Sequence, residues 1–311
     1  MKILSLDGGG VRGLLSAHIV DRLTLACGEL PIDLYAGTST GGLLASLLAT
    51  GHTPRQCVDI YEKACPKIFA KPRTNVLTRM YSVTAKYDTQ TRLNEIRKIT
   101  GFRKFKDLNE LLMITAFRVD GKPPPNDESS FFPSGRWRPC IFTNIPQGQG
   151  TVKPDLELHL FDACMRTSAA PTMFPFYEGY TDGGVFAQNP SLIAVARVLS
   201  TNTHMSRSDI SVLSIGCGVR PNKIPLEEGN EDWGLHQWKG YLLPLMFDSQ
   251  TQTTTLLSNY LLGEGFHRIN PWLEEECLLD DFSKLDYLKE MAYSVDLKPS
   301  VEWIFKNMKH Q

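Results

Sequence analysis

The sequence predicts an α/β protein: three layers, α/β/α, around a mostly parallel central sheet. Two observations carry this. Short apolar runs of strand length alternate with longer stretches of helical period. Two of those runs end in glycine-rich turns that open directly into a helix, the arrangement of a parallel sheet with crossover helices.

The elements follow in order. Ile3 to Leu6 reads as a strand, and Gly8-Gly9-Gly10 turns the chain into a helix from Val11 to about Ala26, where Leu14, Leu15, Ile19, Val20 and Leu23 recur at helical spacing. After Pro31, Ile32 to Ala36 is a second buried strand, followed by a turn at residues 37–41 and a dense apolar helix from Gly42 to Thr50, which Gly51 stops. Pro54 to Ala64 is helical, whereas Pro66 to Tyr87 is irregular and basic, with Lys67, Lys71, Arg73, Arg79 and Lys86 and no acidic residue. Leu111 to Val119 and Arg138 to Ile145 are strands joined by a long Pro-, Ser- and Gly-rich loop, Asp120 to Pro139. Leu160 to Ser168 is a helix halted at Ala169-Ala170-Pro171, Gly179 to Thr181 a short strand, Pro190 to about Ser200 a helix with proline in its first turn, and Ile210 to Ile215 a strand. Longer helices fill Trp238 to Leu262 and Ser283 to Met308, and the acidic cluster from Glu274 to Asp281 reads as a solvated surface. Neither an internal repeat nor a linker interrupts the 311 residues, so residues 1–311 are expected to form one domain, more helical from about 225.

Composition excludes several function classes. A formal net charge of −1 argues against binding a nucleic-acid duplex. Seven scattered cysteines include no C-x-x-C pair, so no zinc or redox centre is expected, and buried reduced thiols point to a reducing compartment. The N-terminal apolar run is too short for a signal-peptide core and is interrupted by Asp7. Nowhere do about 18 apolar residues run uninterrupted, so a cytoplasmic protein that meets lipid only peripherally, at the inner face of the membrane, is expected.

Three motifs carry the chemistry. Gly8-Gly9-Gly10-Val11-Arg12-Gly13 fits the dinucleotide pattern G-x-G-x-x-G, but that reading needs an acidic residue at the end of the second strand, and Asp33 stands at its start. A tight structural turn is one remaining reading. The other is an anion site, with backbone N–H groups at a helix N-terminus placed to hold an oxyanion. Gly37-Thr38-Ser39-Thr40-Gly41 matches G-x-S-x-G between a strand and a helix, the setting of a nucleophile elbow. Asp182-Gly183-Gly184 follows a short strand and by itself reads as a turn. A serine needs a base. In the chain order usual for α/β-hydrolases, Ser39–Asp182–His267 is formally available, although nothing around His267 marks a catalytic loop. A triad esterase of soluble esters and a non-enzymatic nucleotide-binding module are therefore the rival readings.

Taken together, these motifs resemble the patatin-like phospholipase family. The glycine turn at 8–13, the serine turn at 37–41, Ser168-Ala169-Ala170-Pro171-Thr172-Met173-Phe174-Pro175, and Asp182-Gly183-Gly184 with Asn189-Pro190 stand in the family's order. The resemblance is strong from Lys2 to about Val219. It implies a Ser–Asp dyad without histidine, in which Ser39 is the nucleophile and Asp182 the base. It further implies that the Gly8, Gly9 and Gly10 amides, with Arg12 nearby, form the oxyanion region, and that the 169–171 turn is structural. No cofactor is implied, and no carboxylate loop with Ca²⁺ spacing is present. The implied substrate is a phospholipid at a membrane surface, where the basic stretch with Ile68, Phe69, Val76, Leu77, Met80 and Tyr81 suits an interfacial patch. The family includes antiphage effectors switched on by cyclic oligonucleotides, which makes such a nucleotide an expected activator and antiviral defence an expected role.

Overall fold

A computed structural model describes residues 1–70, 72, 84–123, 135–148, 153–201, 204–219, 223–225 and 232–309. Lys71, Arg73, Val76, Leu77, Arg79, Met80 and Tyr81 of the basic stretch, and residues 124–134 of the long loop, lie outside the described residues.

Seven strands form one mixed, mostly parallel sheet: β1 (Lys2–Leu6), β2 (Leu34–Thr38), β3 (Leu111–Arg118), β4 (Arg138–Thr143), β5 (Tyr180–Asp182), β6 (Ser211–Ile215) and β7 (Phe266–Ile269). The order is β4-β3-β2-β1-β6-β7, with β5 also pairing β3. β3 pairs antiparallel with β4 and β5, and the other pairings are parallel.

Strand periodicity accounts for the layers. Successive side chains point to opposite faces. Leu4 and Leu6 of β1 and Leu213 and Ile215 of β6 join one apolar core, whereas Ile3 and Val212 join the other. Helices α1 (Gly13–Cys27), α2 (Thr40–Ala49), α3 (Pro54–Phe69) and α5 (Leu160–Thr167) cover the first face. On the second, α7 (Ser191–Thr201) buries Ala194, Val195 and Val198. With both faces covered, β1, β2 and β6 are buried along almost their whole length rather than alternating between buried and exposed positions, as parallel strands are.

Three elements differ from the sequence reading. α3 does not stop before Pro66 but runs through it to Phe69, giving up the i→i−4 hydrogen bond that proline cannot donate, and Phe69 then packs against Tyr87 and Phe174. Between Tyr87 and Leu111, where no element was expected, α4 (Thr89–Thr100) starts at Asp88, whose carboxylate accepts the Thr91 N–H at 2.7 Å. Its inward face mixes Leu93, Ile96 and Ile99 with the buried polar residues Arg92, Glu95 and Thr100, so its apolar stripe is short and interrupted. The C-terminal residues also add β7 to the sheet, beside the short helices α6 (Gly184–Ala187) and α8 (Leu235–Trp238), the long α9 (Leu242–Leu262), α10 (Leu285–Ser294) and α11 (Lys298–Ile304).

Candidate active site

Unequal strand lengths place the two key side chains. β2 ends at Thr38, opposite Thr115 of β3. β3 continues for three residues, and β5 takes up that overhang with Asp182 opposite Ala116. Asp182 therefore lies in line with the end of β2, where Ser39 follows. Ser39 Oγ donates to Asp182 Oδ2 at 2.5 Å across 143 positions of sequence.

Ser39 adopts φ 54°, ψ −124°, a conformation a non-glycine residue holds only when its surroundings impose it. Its N–H donates to Thr167 Oγ1 at 2.7 Å and its carbonyl accepts the Leu43 N–H of α2 at 3.1 Å. Gly41 lets the turn press against β1: a Cβ there would overlap the carbonyls of Leu6 and Asp7.

Asp182 is buried, with 4% of its surface exposed. Its Oδ1 accepts the Gly184 N–H at 2.7 Å, and its own N–H donates to the Ala169 carbonyl at 3.0 Å. Burial pushes its carboxyl up to about 6, against the opposing pull of the Ser39 and Gly184 hydrogen bonds and the Arg92 charge. A base of that strength suits proton transfer near neutral pH.

The glycine turn faces the same space. The Gly8 N–H donates to the Gln188 carbonyl at 3.0 Å, and Gln188 Nε2 donates back to the Gly8 carbonyl at 2.6 Å. Gly8, expected among the anion donors, is thus committed elsewhere. Gly9 and Gly10 line a cavity with Ser39 and Asp182, and no acceptor for their N–H groups occurs among the described residues. Gly10, at φ +60°, lies so close to Leu279 that a Cβ would overlap its carbonyl, which accepts the Val11 N–H at 2.8 Å. Arg12 sits to one side: its guanidinium donates to the Gly9 and Gly218 carbonyls, both at 3.4 Å, and lines a second cavity. Asp7 anchors the turn through a buried ion pair with Arg268 at 2.5 Å.

The cavity at Ser39 is apolar. It runs between α2, α3 and α4, past Leu43, Leu47, Ile60, Ile68, Ile96 and Ile99. The second cavity, lined by Asp7, Arg12, Lys86 and Asp280, shares Gln188, Met173, Phe247 and Leu279 with it.

The other sequence candidates lie elsewhere. His267 is on β7, three strand spacings or about 14 Å across the sheet from β2. Its Nε2 hydrogen bonds Ser300 Oγ at 2.9 Å, its ring stacks on Trp303, and no histidine lines the Ser39 cavity among the described residues. Asp33, at the opening of β2, accepts the Lys2 N–H at 2.6 Å, away from the glycine turn. The acidic cluster is not wholly a solvated surface: Asp280 is 7% exposed, accepts from Tyr87 Oη at 2.6 Å and pairs with Lys86, which draws Leu279 over Gly10. Thr167, Gln188, Arg92 and Leu279 carried no signal in the sequence, because each matters through a contact distant along the chain. Among the described residues, no group of three or more His, Cys, Asp or Glu could hold a metal ion, and no helix is long and apolar enough to cross a membrane.

Comparison with known proteins places this geometry. Protein teg of Priestia megaterium is 26% identical, covering 98% of each chain. A cGAMP-activated phospholipase of Escherichia coli is 29% identical over 94% of this chain and 80% of its own. Patatin-like protein 1 of Arabidopsis thaliana is 29% identical over 76% of this chain and 63% of its own. Among solved structures, human GIVD cytosolic phospholipase A2 aligns with 100% of this chain and 60% of its own at 10% identity and a TM-score of 0.42, too distant a likeness to bear on function. The patatin-like phospholipase profile matches residues 4–195, a span that holds both glycine-rich turns, Ser39 and Asp182. The chain belongs to the patatin-like phospholipase family, and is an enzyme of the lipid acyl hydrolase class.

Proposed function

We propose that the protein is a phospholipase A-type serine hydrolase that cleaves fatty-acyl esters of membrane phospholipids through a Ser39–Asp182 dyad. The observation that carries this is the 2.5 Å hydrogen bond from Ser39 Oγ to a buried carboxylate whose basicity burial has raised. Ser39 Oγ attacks the ester carbonyl carbon while its proton passes to Asp182 Oδ2. The oxyanion of the tetrahedral intermediate is held by the Gly9 and Gly10 amides, with Gly8 fixing the turn through Gln188 and Arg12 bracing it at the Gly9 carbonyl. As the intermediate collapses, Asp182 returns the proton to the departing lysophospholipid alkoxide, leaving the acyl group on Ser39. Water then attacks the acyl-enzyme, giving one proton to Asp182. When the C–Oγ bond breaks, the proton returns to Ser39 and the fatty acid is released.

The apolar cavity between α2 and α4 suits the acyl chain. Substrate access at a bilayer surface is supported by exposed Leu235, Leu242, Leu245 and Met246, near Phe247, which lines both cavities, and the inner face of the membrane in the cytoplasm is proposed as the place. Of the basic stretch, Lys67 and Lys86 are already ion-paired, with Glu95 and Asp280. Two relatives, from Escherichia coli and Vibrio cholerae, are named cGAMP-activated phospholipases, and on that ground a cyclic oligonucleotide is proposed as activator and antiviral defence as the role. The test is lipid mass spectrometry of phospholipid vesicles incubated with purified protein, with and without cGAMP and a panel of other cyclic nucleotides. Lysophospholipid and free fatty acid should accumulate, and Ser39→Ala should abolish both; intact vesicles under every condition would refute the reading.

A further inference from the structure

Arg92 is the least expected wall of the Ser39 cavity. It is 2% exposed, on the helix α4 that the sequence does not announce. Its Nη1 donates to the Ser168 carbonyl and, at 3.3 Å, to Ser168 Oγ. The Phe174 ring lies 4.4 Å from its Cζ. Among the described residues, Nε and Nη2 have no partner. Leaving a buried guanidinium with open donors is costly unless an acceptor fills them. Burial pulls its pKa down only to about 10, so it stays charged at neutral pH.

The open donors form a pair. Nε and Nη2 are the two parallel N–H directions of one guanidinium edge, which matches the two oxygens of a carboxylate. Arg92 also stands at the reacting end of the cavity. Its partner Ser168 lies between Thr167, which binds the Ser39 N–H, and Ala169, which binds the Asp182 N–H. From there α4 leads away through Ile96 and Ile99. A chain lying along that path ends, at Arg92, in the carboxylate that hydrolysis creates. Asp182 is the one carboxylate among the described residues that line the cavity, so an anion there meets a single like charge beside the guanidinium.

We propose that the Nε–Nη2 edge of Arg92 is a binding site for the carboxylate of a free fatty acid, which holds the reaction product in the acyl cavity. This rests on the acyl-hydrolase reading of the cavity. The test uses Ser39→Ala protein, which cannot turn over, titrated calorimetrically at pH 8 with decanoate and with decanol. A charge-assisted pair predicts decanoate binding roughly tenfold or more tighter than decanol. Arg92→Met in the same background should erase that preference while decanol still binds. Arg92→Lys, which keeps the charge and loses the fork, should reduce the preference, and it decides the matter if the methionine variant no longer binds decanol. Equal affinities in the Ser39→Ala protein, or a preference unchanged by the Arg92 substitutions, would overturn the carboxylate site and leave the acyl cavity standing. Binding of neither probe would overturn both.

Discussion

Asp182 combines two demands that oppose each other. Its burial raises its basicity, which favours taking a proton from Ser39, yet the same burial disfavours its charge in the folded protein. Its folded-state pKa of about 6 lies above the ordinary 3.8, so the folded protein holds this proton more tightly than the unfolded chain. The burial is harmless below about pH 4 and lowers stability as pH rises through about 6. Asp182→Asn should therefore cut ester hydrolysis by about 10³-fold or more, while stability at pH 8, measured by chemical denaturation, is unchanged or higher by up to about 3 kcal/mol. A lower stability at pH 8 would show that the hydrogen bonds to Asp182 outweigh its desolvation. In the unaltered enzyme, kcat/KM should fall as pH drops through about 6, because the base must be ionised to accept the proton. His267 should leave no mark on that profile: its ring is held by Ser300 and Trp303. His267→Ala should keep most of the activity, and its inactivity in a folded protein would reinstate a histidine-dependent mechanism.

Among the secondary-structure elements, the decisive one is β3, whose eight residues outrun the five of β2. That overhang lets a three-residue strand reach the sheet and present Asp182 at the level of Ser39. The segment around Leu279 acts on the opposite wall. Asp280 ties it to Lys86 and Tyr87, and the Leu279 carbonyl holds the Val11 N–H at the start of α1. Asp280→Ala removes the buried carboxylate that accepts from the Tyr87 hydroxyl and pairs with Lys86, and should cost about 1–3 kcal/mol of stability. The specific reading is hydrogen exchange: the Val11 amide should exchange faster in the variant, and unaltered protection there would show that the segment is held by other contacts. α4 shows why a functional element can be silent in sequence. Its inward face carries Arg92, Glu95 and Thr100 among Leu93, Ile96 and Ile99, so the apolar stripe of a helix that lines the cavity is diluted by buried polar residues.

Across the whole molecule, both faces of the sheet are sealed by helices, and the cysteines lie inside. All seven are buried and none forms a disulfide. Burial pushes the thiols of Cys57, Cys65 and Cys164 up to about 12 and that of Cys217 up to about 11. Native protein should therefore react negligibly with a thiol-disulfide reagent at pH 8, and all seven thiols should react in denaturant. Fast native labelling would mean that the fold opens readily around one of them.

By itself the sequence determined the alternation of strands and helices, the two glycine-rich turns at the ends of β1 and β2, and the candidates Ser39 and Asp182. These are legible because each rests on contiguous residues: a turn, an apolar run and a helix period are local. The family resemblance implied Ser39 with Asp182 rather than His267, and tertiary structure supplied the contact; it alone decided that the Gly8 amide is taken while those of Gly9 and Gly10 find no acceptor among the described residues, that Asp280 is buried within an acidic cluster, and that Arg92 lines the acyl cavity. Each of these depends on strand register or helix packing between segments far apart in the chain. A one-residue slip of β5 along β3 would turn Asp182 to the opposite face of the sheet and away from Ser39, and nothing local in Asp182-Gly183-Gly184 sets that register.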